Sequence, residues 1–151
     1  MNENLKSRLI NDAKDIANEN FCCESSNFTV GVALLTNDGK IYKGFNIEND
    51  GIQSICAERV TISKALTEGN KNFKCLAVVG KNKDNDKFSK TLPCGYCRQF
   101  MSQYCSKDFV IYTYDDESEQ VYEYTLEELL PESFSLRKNW LKCYMIKSIL
   151  L

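Results

Sequence analysis

The 151-residue chain contains no histidine. A zinc site of the cysteine–histidine kind must therefore rest on sulfur alone, because the imidazole donors that often share zinc with cysteine are missing. Positive charge is not in excess either: 19 Lys and Arg stand against 21 Asp and Glu, a formal net charge of -2 at pH 7. The lysines are interleaved with acids, as in Lys81-Asn82-Lys83-Asp84-Asn85-Asp86-Lys87, a stretch that reads as an exposed loop. Without a concentrated basic field there is nothing to hold a phosphate backbone, which excludes a nucleic-acid partner. Long apolar runs are also lacking, so no window can cross a membrane. The segment Met1 to Glu24 is polar and amphipathic, which predicts no signal peptide and a cytoplasmic protein. No internal repeat or low-complexity linker breaks the chain. Its length suffices for one buried core and leaves little room for a second, so residues 1–151 are expected to form a single domain.

What the chain does have is cysteine, eight in all. Three fall in two fragments of complementary chemistry, Cys56-Ala57-Glu58 and Pro93-Cys94-Gly95-Tyr96-Cys97. Three thiolates can hold zinc in a near-tetrahedral shell and leave one position for water, the feature that separates a catalytic site from a closed structural one. Zinc lowers the pKa of that water towards neutrality, and a nearby carboxylate such as Glu58 can carry protons to and from it. Three protein ligands, a non-ligating Glu and a Pro-Cys-x-x-Cys element together form the known signature of zinc deaminases. The competing reading is bland, since cysteines are common small core residues. Cys75 and Cys143 have apolar neighbours and read as core. A structural four-cysteine site would need its fourth ligand from Cys22, Cys23, Cys75, Cys105 or Cys143. In a reducing cytosol the five would be free thiols.

Local pattern places the ligands on helix starts. A helix from Cys94 through Tyr104 puts Cys94 and Cys97 on one face of its first turn, with Pro93 where a missing N–H costs nothing. A second helix from Cys56 through Leu66 follows from the spacing of Ala57, Thr61, Ala65 and Leu66. Free amides there favour thiolate over thiol, and Arg59 and Arg98 follow the ligands closely enough to offset excess negative charge. Elsewhere, Leu5, Leu9, Ala13, Ile16 and Ala17 make one face of an opening helix. Phe28 to Leu35 and Lys40 to Phe45 flank an Asp38-Gly39 turn and predict a hairpin. Leu76 to Gly80, Phe109 to Tyr114 and Gln120 to Tyr124 read as strands, and Leu126 to Leu130 as a helical turn. An αββαβαβ order, with Gln120 to Tyr124 as a further strand, predicts an α/β fold, a mixed five-stranded sheet with helices on both faces.

Taken in order, several fragments resemble the small homotetrameric zinc-dependent cytidine deaminases. They are Phe28-Thr29-Val30-Gly31, Gly44-Phe45-Asn46-Ile47-Glu48-Asn49, Cys56-Ala57-Glu58-Arg59, Pro93-Cys94-Gly95-Tyr96-Cys97-Arg98-Gln99, and Glu128-Leu129-Leu130-Pro131 with Phe134. The resemblance implies that family's three-layer fold and one Zn2+ per subunit held by Cys56, Cys94 and Cys97. It makes Glu58 the proton shuttle, Arg59 and Arg98 charge-balancing partners of the sulfurs, and Phe28, Asn46, Glu48, Ala57 and Phe134 substrate-binding residues. Asn46 and Glu48 would grip the ribose hydroxyls and Phe28 would pack on the pyrimidine. Phe134 would enter a neighbouring subunit's pocket in a homotetramer. The implied reaction is hydrolysis of cytidine and deoxycytidine to uridine and deoxyuridine plus ammonia, in pyrimidine salvage. Deamination of an antibiotic cytosine nucleoside of the blasticidin S type, or a catalytically silent zinc-stabilised binding protein, are the alternatives. The chain departs from the family pattern at Asp50 to Ile55, which is about one residue short and lacks an aromatic. It also has Phe45 in place of a frequent cysteine and Thr29 in place of a frequent proline. Residues 135–151 form an apolar extension beyond the last landmark, expected to pack on its own subunit or a neighbour.

Overall fold

A computed structural model describes residues 3–135. Nine elements follow one another: α1 (Glu3–Asn18), β1 (Phe28–Thr36), β2 (Ile41–Phe45), α2 (Ala57–Thr67), β3 (Phe73–Asn82), α3 (Gly95–Met101), β4 (Val110–Asp115), β5 (Gln120–Thr125) and α4 (Leu126–Leu129). The five strands form one sheet in the order β2-β1-β3-β4-β5. Only β3 and β4 run parallel; the other neighbouring pairs are antiparallel. The parallel step needs a crossover, and α3 lies in the connection that makes it.

Alternation along the central strands sorts side chains to two cores. Ala33, Leu35, Cys75, Ala77 and Val79 meet Leu9, Ile10, Ala13 and Ala17 of α1 on one face. On the other, Val32, Leu34, Leu76, Val78 and Ile111 meet Ala57, Ile62 and Ala65 of α2, Met101 of α3 and Leu126 of α4. The described residues are thus three-layered, with α1 the one helix among them on its side of the sheet. Ile10, absent from the face expected for the first helix, is buried, whereas Ile16 is only half-buried.

Two glycines allow the helices to lie close to the sheet. A Cβ on Gly31 of β1 would stand 2.0 Å from the Ala13 carbonyl oxygen and 2.8 Å from Ala17 Cβ, so α1 rests on bare backbone there. A Cβ on Gly44 of β2 would stand 2.6 Å from Thr61 Oγ1 of α2.

Boundaries differ from expectation in two places. β3 runs past Leu76–Gly80 at both ends because β1 pairs with it from Thr36 opposite Phe73 to Phe28 opposite Asn82. The expected loop over 81–87 therefore begins as strand. α3 stops at Met101, three residues before the expected Tyr104. There the Ser102 hydroxyl donates to the Gln99 carbonyl at 2.7 Å, and Tyr104 N–H reaches Met101 O in a tightened turn. The expectation for residues 135–151 concerns a segment that, apart from Ser135, lies outside the described residues.

Candidate metal and substrate site

Cys56 and Cys94 are the N-cap residues of α2 and α3, both with extended backbone, and neither uses its sulfur to cap the helix. Their thiols are consequently available to a ligand. Cys97 lies in the first turn of α3 and is buried. The three sulfurs lie within 4.8 Å of one another, and Cys56 Sγ is 3.9 Å from Cys94 Sγ. Zn–S bonds of about 2.3 Å in a tetrahedron hold sulfurs roughly 3.8 Å apart. Spacing and softness of the donors therefore both fit zinc. Among the described residues no other Cys, Asp or Glu joins this cluster.

Charge is unevenly shared within the cluster. A hydrogen bond from Cys97 holds the Cys56 thiol down to about 5; burial opposes this, while Arg59 and Cys94 assist. The Cys97 thiol is pushed up correspondingly, since it donates to an already ionised neighbour in a buried setting. Arg59 extends one guanidinium nitrogen to within 3.8 Å of Cys56 Sγ and 3.2 Å of the Ser54 carbonyl oxygen. Its guanidinium also lies over the Tyr96 ring, 4.4 Å from the centroid. Arg98, expected to balance the sulfurs, is seen bonded to backbone carbonyls. It donates to the Pro93 carbonyl at 2.6 Å and to the Leu129 carbonyl at 3.0 Å, tying α3 to α4.

Glu58 occupies the first turn of α2 and is only 4% exposed. Burial pushes its carboxyl up to about 7, and negative charge on Cys56 acts in the same direction. A carboxyl titrating near neutrality can both take and return a proton.

These groups open into one cavity of about 280 Å³. Cys56, Ala57, Glu58 and Cys94 line one wall, and Phe28, Asn46 and Glu48 line another. A larger and shallower depression of about 600 Å³ lies around Asp38, Lys40 and Glu68 and contains none of this chemistry. Asn46 follows β2; its side-chain oxygen accepts from Val30 N–H at 2.8 Å and from Asn20 Nδ2 at 2.8 Å, and its Nδ2 donates to Phe28 O at 3.0 Å. Burial acts to raise the Glu48 carboxyl, but hydrogen bonds from Ser26 and Ser25 outweigh it and hold the group below its ordinary value. Phe134 is elsewhere: 66% exposed, it lines an apolar groove with Tyr96 and Phe100, and its carbonyl accepts from Gln99 Nε2 at 2.8 Å.

Sequence reasoning did not single out Asn20, Ser26, Thr91 or Leu92, although the last three line the cavity and Asn20 bonds to Asn46. Ser26 and Asn20 reach residues 22 and 26 positions away, so no local periodicity announces them.

Residues 3–113 match the family described as the cytidine and deoxycytidylate deaminase zinc-binding region. A cytidine deaminase of Sporosarcina psychrophila is 39% identical over 129 residues, spanning 85% of this chain and 90% of that protein. A blasticidin-S deaminase of Bacillus cereus is more distant, 29% identical over 74% of this chain and 81% of its own length. Among solved structures, a cytidine deaminase from Burkholderia pseudomallei superposes with a TM-score of 0.72 at 32% identity, covering 85% of this chain and 98% of that one.

Proposed function

Because the chain belongs to the zinc-binding cytidine and deoxycytidylate deaminase family, we propose that it hydrolyses cytidine and deoxycytidine to uridine and deoxyuridine plus ammonia. The observation that carries this reading is that one 280 Å³ cavity is lined by two of the clustered cysteines, a buried carboxyl and a pair of polar groups suited to a sugar. Cys56, Cys94 and Cys97 would hold one zinc ion, which when bound supplies a water of lowered pKa. Glu58 does the proton work: its buried carboxylate accepts one proton from the attacking water and delivers it to N3 of the cytosine ring, then takes the second from the new C4 hydroxyl and passes it to the departing amino group. A C4–O bond forms, the C4–N bond breaks, and nitrogen leaves as ammonia. Phe28 offers a ring face to the pyrimidine, and Ala57, fully buried at the start of α2, gives the base a small and flat neighbour. Arg59 offsets the charge of the thiolates it touches. Asn46 and Glu48 take the sugar, and the Glu48 carboxylate disfavours a phosphate nearby.

The working form is a homotetramer in which Phe134 of one subunit enters the pocket of another, and the setting is pyrimidine salvage in the cytoplasm. The whole chain acts as one catalytic domain. No described helix is long and apolar enough to cross a membrane.

The test is an ultraviolet assay of purified protein with cytidine, deoxycytidine, CMP and blasticidin S, run beside metal analysis. Turnover of both nucleosides, little of CMP and about one zinc per chain are expected. Activity on blasticidin S alone would reassign the substrate, and bound zinc with no turnover of any of the four would make this a binding protein.

A further inference from the structure

The loop between α1 and β1 reaches over Asn46 and Glu48 of the cavity. Asn20, only 5% exposed, donates its amide to the Asn46 backbone carbonyl at 3.2 Å and to Asn46 Oδ1 at 2.8 Å. Its own oxygen accepts from Cys22 N–H at 2.7 Å, an Asx turn that fixes the orientation of the amide. Cys22 O accepts from Glu48 N–H at 2.8 Å. Further along, Ser25 and Ser26 each donate a backbone N–H to Glu48 Oε2 at 3.0 Å, and the Ser26 hydroxyl donates to Glu48 Oε1 at 2.5 Å. That hydroxyl also accepts from Phe28 N–H at 3.0 Å.

Counting donors and acceptors shows what remains for a ligand. Asn46 Oδ1 has both lone pairs taken, by Asn20 and Val30, and Nδ2 has given one of its two hydrogens to Phe28 O. One N–H is left. Glu48 has about four lone-pair directions, of which the loop fills three, leaving one on Oε1. A donor and an acceptor on neighbouring groups suit a hydroxyl, which accepts from one and donates to the other. Neither a ketone nor a fully ionised phosphate satisfies both.

We propose that the 20–26 loop is a clasp that presets Asn46 and Glu48 to receive one sugar hydroxyl, with Asn20 and Ser26 as positioning residues. The inference rests on the nucleoside reading above. Asn20 keeps the Asn46 amide from turning its oxygen into the cavity, and Ser26 keeps the carboxylate from rotating away from it. Both act through another residue and not on the reacting atoms.

The experiment compares Asn20→Ala and Ser26→Ala with the unaltered zinc-loaded protein, on cytidine and on 2′,3′-dideoxycytidine, with uridine binding followed by calorimetry. Each variant should raise the cytidine KM and weaken uridine binding by about 3- to 10-fold, the range of one net hydrogen bond, with kcat nearly unchanged. 2′,3′-Dideoxycytidine lacks both ring hydroxyls and keeps only the 5′-hydroxyl, so with Asn46 and Glu48 preset for a ring hydroxyl its KM should barely move. Asn20→Ala should add nothing once Asn46→Ala is present, nor Ser26→Ala on Glu48→Gln. Equal penalties on the two substrates, additive penalties in the double variants, or failure of both single variants to fold would overturn the clasp. An unaltered protein that neither deaminates cytidine nor binds uridine would overturn the nucleoside reading and the clasp with it.

Discussion

Glu58 is held as a weak acid inside a cluster of incipient anions, so its role is decided by environment rather than by residue type. A surface carboxylate would be ionised at neutral pH and could accept a proton but seldom keep one. Burial removes that bias. Replacing Glu58 by Gln preserves shape and removes the ability to take up and release a proton near neutrality. The expected loss in kcat is about 10² to 10⁴-fold, the usual worth of a positioned general acid–base. Zinc content should be unchanged, because the carboxylate is not one of the three clustered donors. Metal analysis beside steady-state rates checks both halves, and zinc loss in that variant would recast Glu58 as a ligand. The sulfur cluster and the carboxylate were legible in the sequence because their chemistry depends on residue type and short spacing. Arg98 was not. Its neighbours in sequence are the cysteines, but its partners are the carbonyls of Pro93 and of Leu129 on a later helix, which only the packed chain brings within reach.

Elements are placed by what they lack as much as by what they bury. Because α1 lies against bare backbone at Gly31, Gly31→Ala must push the helix off the sheet or bend β1. Overpacking of this kind costs about 1–3 kcal/mol, occasionally more, and chemical denaturation should show that loss. An unchanged midpoint would mean that α1 can shift freely. The same helix is tethered at its middle by Lys14, whose Nζ lies 2.9 Å from Asp116 Oδ1 just after β4, while Asp116 Oδ2 accepts from Phe88 N–H at 2.6 Å. Burial acts to raise the Asp116 carboxyl, yet Lys14 and the Phe88 N–H prevail and hold it below its ordinary value. A carboxyl with a lowered folded pKa stabilises the fold fully above the unfolded pKa of about 4 and loses that contribution as pH falls through the folded one. Asp116→Asn should therefore cost about 1 kcal/mol at pH 7. The difference in Tm from the unaltered protein should vanish below the ordinary carboxylate range, and a difference that persists there would assign the effect to packing. The strand and helix order was readable from alternation and from the Asp38-Gly39 turn. The ends were not, because β3 is lengthened by its pairing with β1 and α3 is cut short by the Ser102 hydroxyl, and neither cause is periodic.

At the scale of the whole molecule, the described surface leaves several large apolar side chains in water, among them Tyr96 at 68% and Phe134 at 66% exposure and Ile52 fully so. Tyr96 and Phe134 line one apolar groove with Phe100 beside α3, and Ile52 lies in the short segment that leads to Cys56. Apolar exposure concentrated beside a reactive cleft is better explained by subunit contact than by chance scatter. A net charge of only -2 does little to keep copies apart. Phe134 does not line the cavity of its own chain, so any contact it makes with substrate must be to another chain's. The tetramer proposal thus separates two quantities that a self-sufficient monomer would keep together. Sedimentation should give four times the 17.3 kDa chain mass, and dilution to monomer should abolish activity without loss of zinc. Phe134→Ala should raise the nucleoside KM by roughly tenfold, as expected for truncating a central aromatic at an interface, while Cys56, Cys94 and Cys97 retain the metal. Mixing that variant with subunits inactivated by Glu58→Gln is the decisive arrangement. A hybrid tetramer holds some intact pockets, each with Glu58 from one variant and Phe134 from the other. Part of the affinity lost by Phe134→Ala subunits should therefore return on mixing. A fully active monomer, or a mixture no better than its parts, would show that each chain completes its own pocket.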